Sequence, residues 1–166
     1  MRLRIALPLV VLVGAGVVLG FALTRSHAAR GPRDDPRAFA EHVVRLIAAN
    51  RYAEAWNTLN PVDQRVAPRT EYVGCESRTP ILARLREVRA LGTADDSVGL
   101  GDGTFVRSKA VAVRIAFAGD DSFVITHSVH LVAVHGRWTW VLPPWRYRSF
   151  RDDHCPVAPS APTTNE

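Results

Sequence analysis

Cysteine is scarce in this sequence: Cys75 and Cys155 are the only two in 166 residues. That excludes a disulfide-dense miniprotein and a four-cysteine zinc site. Lysine is scarcer still, since only Lys109 stands among 21 basic residues. The arginine bias suits a GC-rich genome and carries no mechanism. The chain has no phosphate-cradling Gly-rich loop ending in Gly-Lys-Ser/Thr, no His-Glu-x-x-His pair and no Gly-x-Ser-x-Gly turn. P-loop nucleotide chemistry, zincin proteolysis and the serine-hydrolase elbow therefore have no anchor. No metal site and no cofactor is expected. No internal repeat is present. At 47% hydrophobic and 22% charged, with 11 Gly and 11 Pro, the composition excludes a disordered chain, a collagen-like repeat and a pure coiled coil.

One long hydrophobic run is present. Residues 5–23, from Ile5 to Leu23, contain no charge. As a helix they would span roughly 28 Å, the thickness of a bilayer core. A secretory signal usually has a shorter apolar stretch, about 7–15 residues. An uncleaved membrane anchor is favoured over a cleaved signal, although Ser26-His27-Ala28 is a weak cleavage site. Arg2 and Arg4 precede the run, while Arg25, Arg30 and Arg33 follow it, so flanking charge does not orient it. No cysteine near its end offers a lipoprotein attachment point. Within it, Gly16 and Gly20 have the small-xxx-small spacing that brings membrane helices together, a pattern that also arises by chance in such runs. Either reading exports the rest of the chain: a cell-membrane protein with its C-terminal part outside the cytoplasm, or a secreted one.

The formal charge of +5 invites a nucleic-acid reading. Yet Arg2, Arg4, Arg25 and Arg30 precede residue 31 with no acid among them, and the remainder is near neutral. Phosphate recognition needs a concentrated basic face, so no nucleic-acid partner is expected. Only Trp145 to Arg151 interleaves arginines with aromatics, and it reads more simply as a terminal strand with one solvated edge.

Cys75 and Cys155 both follow the apolar run. In an oxidising compartment they are expected to pair, fastening the end of the last strand to a helical layer. Two unpaired thiols are the alternative. Residues 24–35 read as a linker and residues 156–166, with three prolines, as a disordered tail. Between them, residues 36–155 are enough for one core.

The first half of that region reads as helices. Asp35 is an N-cap with Pro36 at the first helical position, and Phe39, Val43, Leu46 and Ile47 share one face. Asn50-Arg51 breaks the helix. Tyr52, Ala55, Trp56 and Leu59 make a second apolar face, ended by Asn60-Pro61. Pro68 to Ser77 forms a third short helix. The second half reads as strands. Leu85 to Ala94 fits helix or strand and leans to strand. A turn follows at Gly99 to Gly103. Residues 110–117 alternate, with Val111, Val113, Ile115 and Phe117 on one face. Gly119-Asp120-Asp121 turns into 123–134, apolar on both faces. His135-Gly136 turns into Arg137–Leu142, and Trp145–Phe150 pairs as a final edge. Helices first and antiparallel strands afterwards make an α+β domain, with helices packed on one side of a curved sheet.

Tyr52-Ala53-Glu54-Ala55-Trp56-Asn57-Thr58-Leu59 after an N-terminal helix resembles the start of the nuclear-transport-factor-two-like (cystatin-like) superfamily. Gly136-Arg137-Trp138-Thr139-Trp140-Val141-Leu142 resembles its closing strand. The order of elements over residues 36–150 carries more of the likeness than either motif. Asn50-Arg51 stands where the family often has Gly-Asp. The resemblance implies a cone, a strongly curved antiparallel sheet wrapped on helices with a cavity at its open end. The family's enzymes place carboxylates in that cavity. No acid lies within the apolar alternation of 110–117 or 123–134, so none of those catalytic patterns transfers here. An N-terminal span plus a cone domain is also the layout of periplasmic assembly components of secretion and conjugation machines. Accessory proteins of lipid importers in actinobacterial envelopes share it.

His127 and His130 are three residues apart on a strand and so face opposite ways, which argues against a joint metal site. If the face with Phe123, Ile125, Val129 and Leu131 is inward, His127 enters the cone. There it could bind a ligand or carry a proton, although a hydrogen-bonded core or rim histidine is the simpler role. Tyr52, Trp56, Tyr72, Trp138 and Trp140 are candidate cavity-lining aromatics, with core packing the simpler reading. His154 adjoins Cys155, but a disulfide would remove the thiolate that nucleophilic chemistry needs. The expected function is a membrane-tethered extracytoplasmic binding or assembly module without catalysis. It would meet an envelope protein or a second copy of itself. The rival is a carrier or enzyme that takes a small apolar ligand into the cone.

Overall fold

A computed structural model describes residues 32, 34–118 and 123–157. The predicted span 5–23, the turn at Gly119-Asp120-Asp121 and most of the predicted tail lie outside them. No helix among the described residues is long and apolar enough to cross a membrane.

The architecture is α+β. Four helices come first: α1 (Pro36–Ala48), α2 (Tyr52–Asn57), α3 (Pro61–Val66) and α4 (Arg69–Glu76). Strands β1 (Arg84–Gly99), β2 (Phe105–Ala118), β3 (Val124–Val134) and β4 (Arg137–Trp140) follow, and α5 (Pro144–Arg151) ends the fold. The sheet is antiparallel, in the order β1-β2-β3-β4, and does not close on itself.

Local chemistry explains the helix starts. The Asp35 side chain accepts from the Arg37 amide at 2.9 Å, with Pro36 at the first position of α1. Asn50 adopts a φ of 56° at the break after α1, a conformation asparagine tolerates. Asn60-Pro61 ends α2 as expected but also begins α3, because the Asn60 side chain accepts from the Val62 amide at 3.0 Å.

The sheet's inner face packs on the helices. Val111, Val113, Ile115 and Phe117 of β2 are buried with Val43 and Val44 of α1, as their alternation predicts. The outer face is not bare either: Val98, Val132 and Val141 form a second, smaller cluster with Leu100, Val106 and Val134. That cluster accounts for the apolar residues on both faces of β3. β1 is longer than Leu85–Ala94 and carries register shifts after Leu85 and after Ala90, bulges that bend a strand. The two-residue turn His135-Gly136 has positive φ at both positions, 49° and 75°, which suits the twist of a hairpin.

One expected strand is a helix. Trp145–Phe150 does not pair as an edge; it lies within α5. Pro144 takes the first helical position, where its fixed φ and missing N–H cost nothing. Tyr147 and Phe150, three apart, then reach the core together. Gly101 admits this helix closely: a Cβ there would fall 1.7 Å from the Tyr147 ring.

Cys75 and Cys155 are joined, with Cα atoms 5.2 Å apart and a sequence separation of 80. The bond ties α4 to the segment that follows α5, and not to the end of a strand.

Candidate functional site

The sheet's two sides are finished differently, and the difference makes a cleft. At β4 the outer edge is covered: Leu59 bridges Trp140 in parallel, the Asn60 amide donates to the Trp140 carbonyl, and the Trp140 amide donates to that of Thr58. β4 is only four residues long and pairs with β3 from Leu131 to Val134. The stretch of β3 before Leu131 therefore runs on past it. The Val141 amide still reaches the His130 carbonyl at 3.1 Å. On the other side of β3, Phe117 donates to the Phe123 carbonyl. Main-chain groups alternate in direction along an antiparallel strand, so those of Val124, Thr126 and Ser128 face away from β2.

Beside this edge lies a cleft of about 460 Å³. Val43, Val44 and Ile47 of α1 form one wall, and His127 to His130 of β3 another. Ser97 to Gly99 of β1, Trp140 to Pro144 and Arg146 complete it. A second lobe of about 290 Å³ shares Val44, Ile47, His127 and Arg146 and extends to Ile81, Ile115 and Ile125. Its size is that of a small-molecule site. The two lobes meet at Val44, Ile47, His127 and Arg146. Ionisable side chains on the walls are His127, His130 and Arg146, and no acid is among them.

Arg146 is held from behind. Its guanidinium pairs with Glu76 at the end of α4, and both side chains are largely buried. It lies 5.8 Å from the Tyr72 ring centre and 5.9 Å from that of Trp145, within cation–π range. Its Nε has no hydrogen-bond partner, and neither has the buried Tyr72 hydroxyl. Burial pushes the Tyr72 hydroxyl pKa up. Partial burial in the cleft lowers the His127 pKa, and the neighbouring His130 and Arg146 lower it further, so the imidazole is neutral at neutral pH. His130 projects from the opposite face of β3, as three-residue spacing requires. Its Nδ1 is 3.6 Å from an Asp96 oxygen, too far for a hydrogen bond.

Of the six candidate cavity residues, the structure brings His127 and Trp140 together in the cleft. Trp140 is buried and donates from its indole to the Ala55 carbonyl at 2.9 Å. Tyr52 and Tyr72 belong to the main core, where Tyr72 packs on Trp140 and Phe150. Trp56 packs against that core and donates to the Ala67 carbonyl. Trp138 lines a separate hollow with Phe39, His135 and Arg137, and its indole donates to the Asp34 carbonyl. Arg146 and Glu76 were not foreseen. Asp63 was also missed: it is fully buried, accepts from the Leu142 amide at 2.8 Å through Oδ2, and leaves Oδ1 without a partner. Burial raises its pKa to about 6; the Leu142 amide opposes the rise and Asp102 adds to it. Among the described residues no group of three or more His, Cys, Asp or Glu is placed to hold a metal ion.

Comparison with family models, with curated proteins and with solved structures returned no match.

Proposed function

We propose that this chain is a membrane-tethered, extracytoplasmic binding module that holds a small apolar molecule in the cleft beside β3. The observation that carries the reading is the cleft itself: it is open, largely aliphatic and of ligand size. The cystine between Cys75 and Cys155 and the apolar run 5–23 support the location, because such a bond persists outside the cytoplasm. An α+β architecture with helices against an open antiparallel sheet fits the nuclear-transport-factor-two-like cone suggested by residues 36–150. Catalysis is not part of the proposal, since the walls offer no carboxylate to pair with His127 for proton transfer.

The deciding experiment is native mass spectrometry of the full chain, purified from membranes without reductant. An added small mass that survives desalting and leaves on denaturation supports the reading. A bare chain that also takes up none of a panel of apolar compounds overturns it.

A second reading, an assembly module, is favoured by one observation. Phe123, Val124 and Ile125 are exposed at the start of β3. An open strand edge with apolar side chains is a template for strand addition by a partner or a second copy.

A further inference from the structure

The geometry points to a specific ligand class for the cleft: an apolar chain ending in a single carboxylate, its head at the waist beside His127 and Arg146 and its tail along the aliphatic wall of an adjoining lobe. The inference rests on the cleft being a ligand site. It adds what the ligand must carry.

Charge complementarity is the first ground. The ionisable side chains on the helix-facing side of the cleft are the Arg146 guanidinium and the His127 imidazole, and no acid lines either lobe. The nearest acids sit behind these groups: Glu76 on Arg146 and Asp96 on the outer-face side of His130. Arg146 is therefore the one standing cation of the cleft, and His127 beside it can gain a second charge when an anion arrives. Position is the second ground. His127 and Arg146 line both lobes, so a head placed there leaves apolar wall on either side for a tail. The cation count is the third ground, and it selects a monoanion. The Arg146 charge is already shared with Glu76, and His127 is neutral until it takes up a proton, so a phosphate dianion would remain under-compensated.

The carboxylate also sets a pH dependence. The charged and titratable groups near His127 are Arg146 from α5 and His130 from its own strand. The α1 wall opposite contributes only Val43, Val44 and Ile47, and the β1 wall only Ser97, Val98 and Gly99. Both neighbours disfavour the imidazolium. A bound carboxylate reverses that balance, so binding takes up a proton and tightens as pH falls.

The test is isothermal titration of the full chain in lipid nanodiscs, with empty nanodiscs as the blank for partitioning. The probes are octanoate, octanol and octyl phosphate. Octanoate is expected to bind about tenfold tighter than octanol, the increment of one charge-assisted hydrogen bond. It is expected to tighten between pH 8 and pH 6 while octanol does not. His127→Gln, at an exposed position, should keep the fold and remove the pH effect. Glu76→Gln/Arg146→Gln, which removes the ion pair as a unit, should bring octanoate down to octanol. Equal binding of octanoate and octanol overturns the carboxylate assignment and leaves the apolar cleft standing. Tighter binding of octyl phosphate overturns the monoanion choice. No binding of any probe overturns the cleft as a ligand site as well.

Discussion

The two long flanks of the sheet were built to opposite rules. Along β1, α1 closes the edge with charged side chains. Arg37 donates to the Ala90 carbonyl and Arg45 to that of Val88, both at 2.9 Å, while Glu41 accepts from the Ala90 amide at 2.8 Å. These three residues are four apart, so they form one stripe of the helix. Three main-chain groups of Val88 and Ala90 on this edge strand thereby find charged partners. Along β3 there is no such stripe. α1 presents Val43, Val44 and Ile47 to the cleft instead, and polar atoms there and behind it go unpaired: His130 Nδ1, Arg146 Nε, the Tyr72 hydroxyl and Asp63 Oδ1. Buried polar atoms without partners are costly, and folds tolerate them mainly where function needs them. One flank holds the fold together, and the other is left for something to fit.

The largest expected effect comes from the bond that braces the unfinished flank. The cystine closes 80 residues and holds the segment after α5 against α4, so it fixes Arg146 beside Glu76. Cys75→Ser/Cys155→Ser should lower stability by up to about 4 kcal/mol in the chain-entropy account. It should also weaken octanoate binding in the cleft. Thermal unfolding with and without reductant reads the first effect. If alkylation without reductant labels both cysteines in the wild type, the bond does not form and this prediction fails.

Next comes a contrast between two carboxylates. Asp63, behind the cleft, has its folded pKa raised to about 6 by burial. The folded state therefore holds a proton there that the unfolded chain releases near pH 4, and stability falls as pH rises from about 4 to about 6. Glu41, on the closed flank, has its pKa lowered, chiefly by the Ala90 amide. Its contribution is present above its unfolded value and is lost as pH falls through the lowered one. The two flanks thus respond to pH with opposite sign. Asp63→Asn should be more stable than the wild type above pH 6, on the order of 2–3 kcal/mol, and the advantage should vanish near pH 4. Urea unfolding of both at pH 4.5 and 7.5 measures it, and a difference that does not change with pH would refute the raised pKa. Glu41→Ala should cost about 2 kcal/mol at pH 7, because it strands the Ala90 amide, and should leave cleft binding unchanged.

Periodicity made the closed half of the molecule legible. The α1 face, the alternation of β2 and the His135-Gly136 turn all follow from residue spacing and turn chemistry, whereas the Cys75–Cys155 pairing followed from there being two cysteines, both after an apolar run. The unfinished half was less so. Trp145–Phe150 has aromatics that suit a strand, and only the preceding Pro143-Pro144 and the spacing of Tyr147 and Phe150 indicate a helix. Because that segment turned, Arg146 came inward, and a residue read as part of a solvated edge became part of the cleft. Asp63 hides for a similar reason. An aspartate in the first turn of a helix is ordinary in sequence, and its burial depends on Leu142, 79 residues away. Helical spacing places a residue on a face, but what that face meets is decided by the chain's return.

The smallest effect on the fold should come from the open edge, and it separates the two readings of that flank. Val124 is 52% exposed, and its main-chain groups face away from β2. Val124→Lys removes no buried contact, so stability should change by less than about 0.5 kcal/mol. A lysine there would repel an incoming strand through its charge and its hydration, the device that natural edges use. If the edge recruits a partner strand, the variant should lose that association in membrane crosslinking while octanoate binding persists. If the flank exists only for its cleft, crosslinking should be the same in variant and wild type. A loss of octanoate binding with association intact would mean that the edge residues shape the cleft mouth, and the two features of β3 would then be one site.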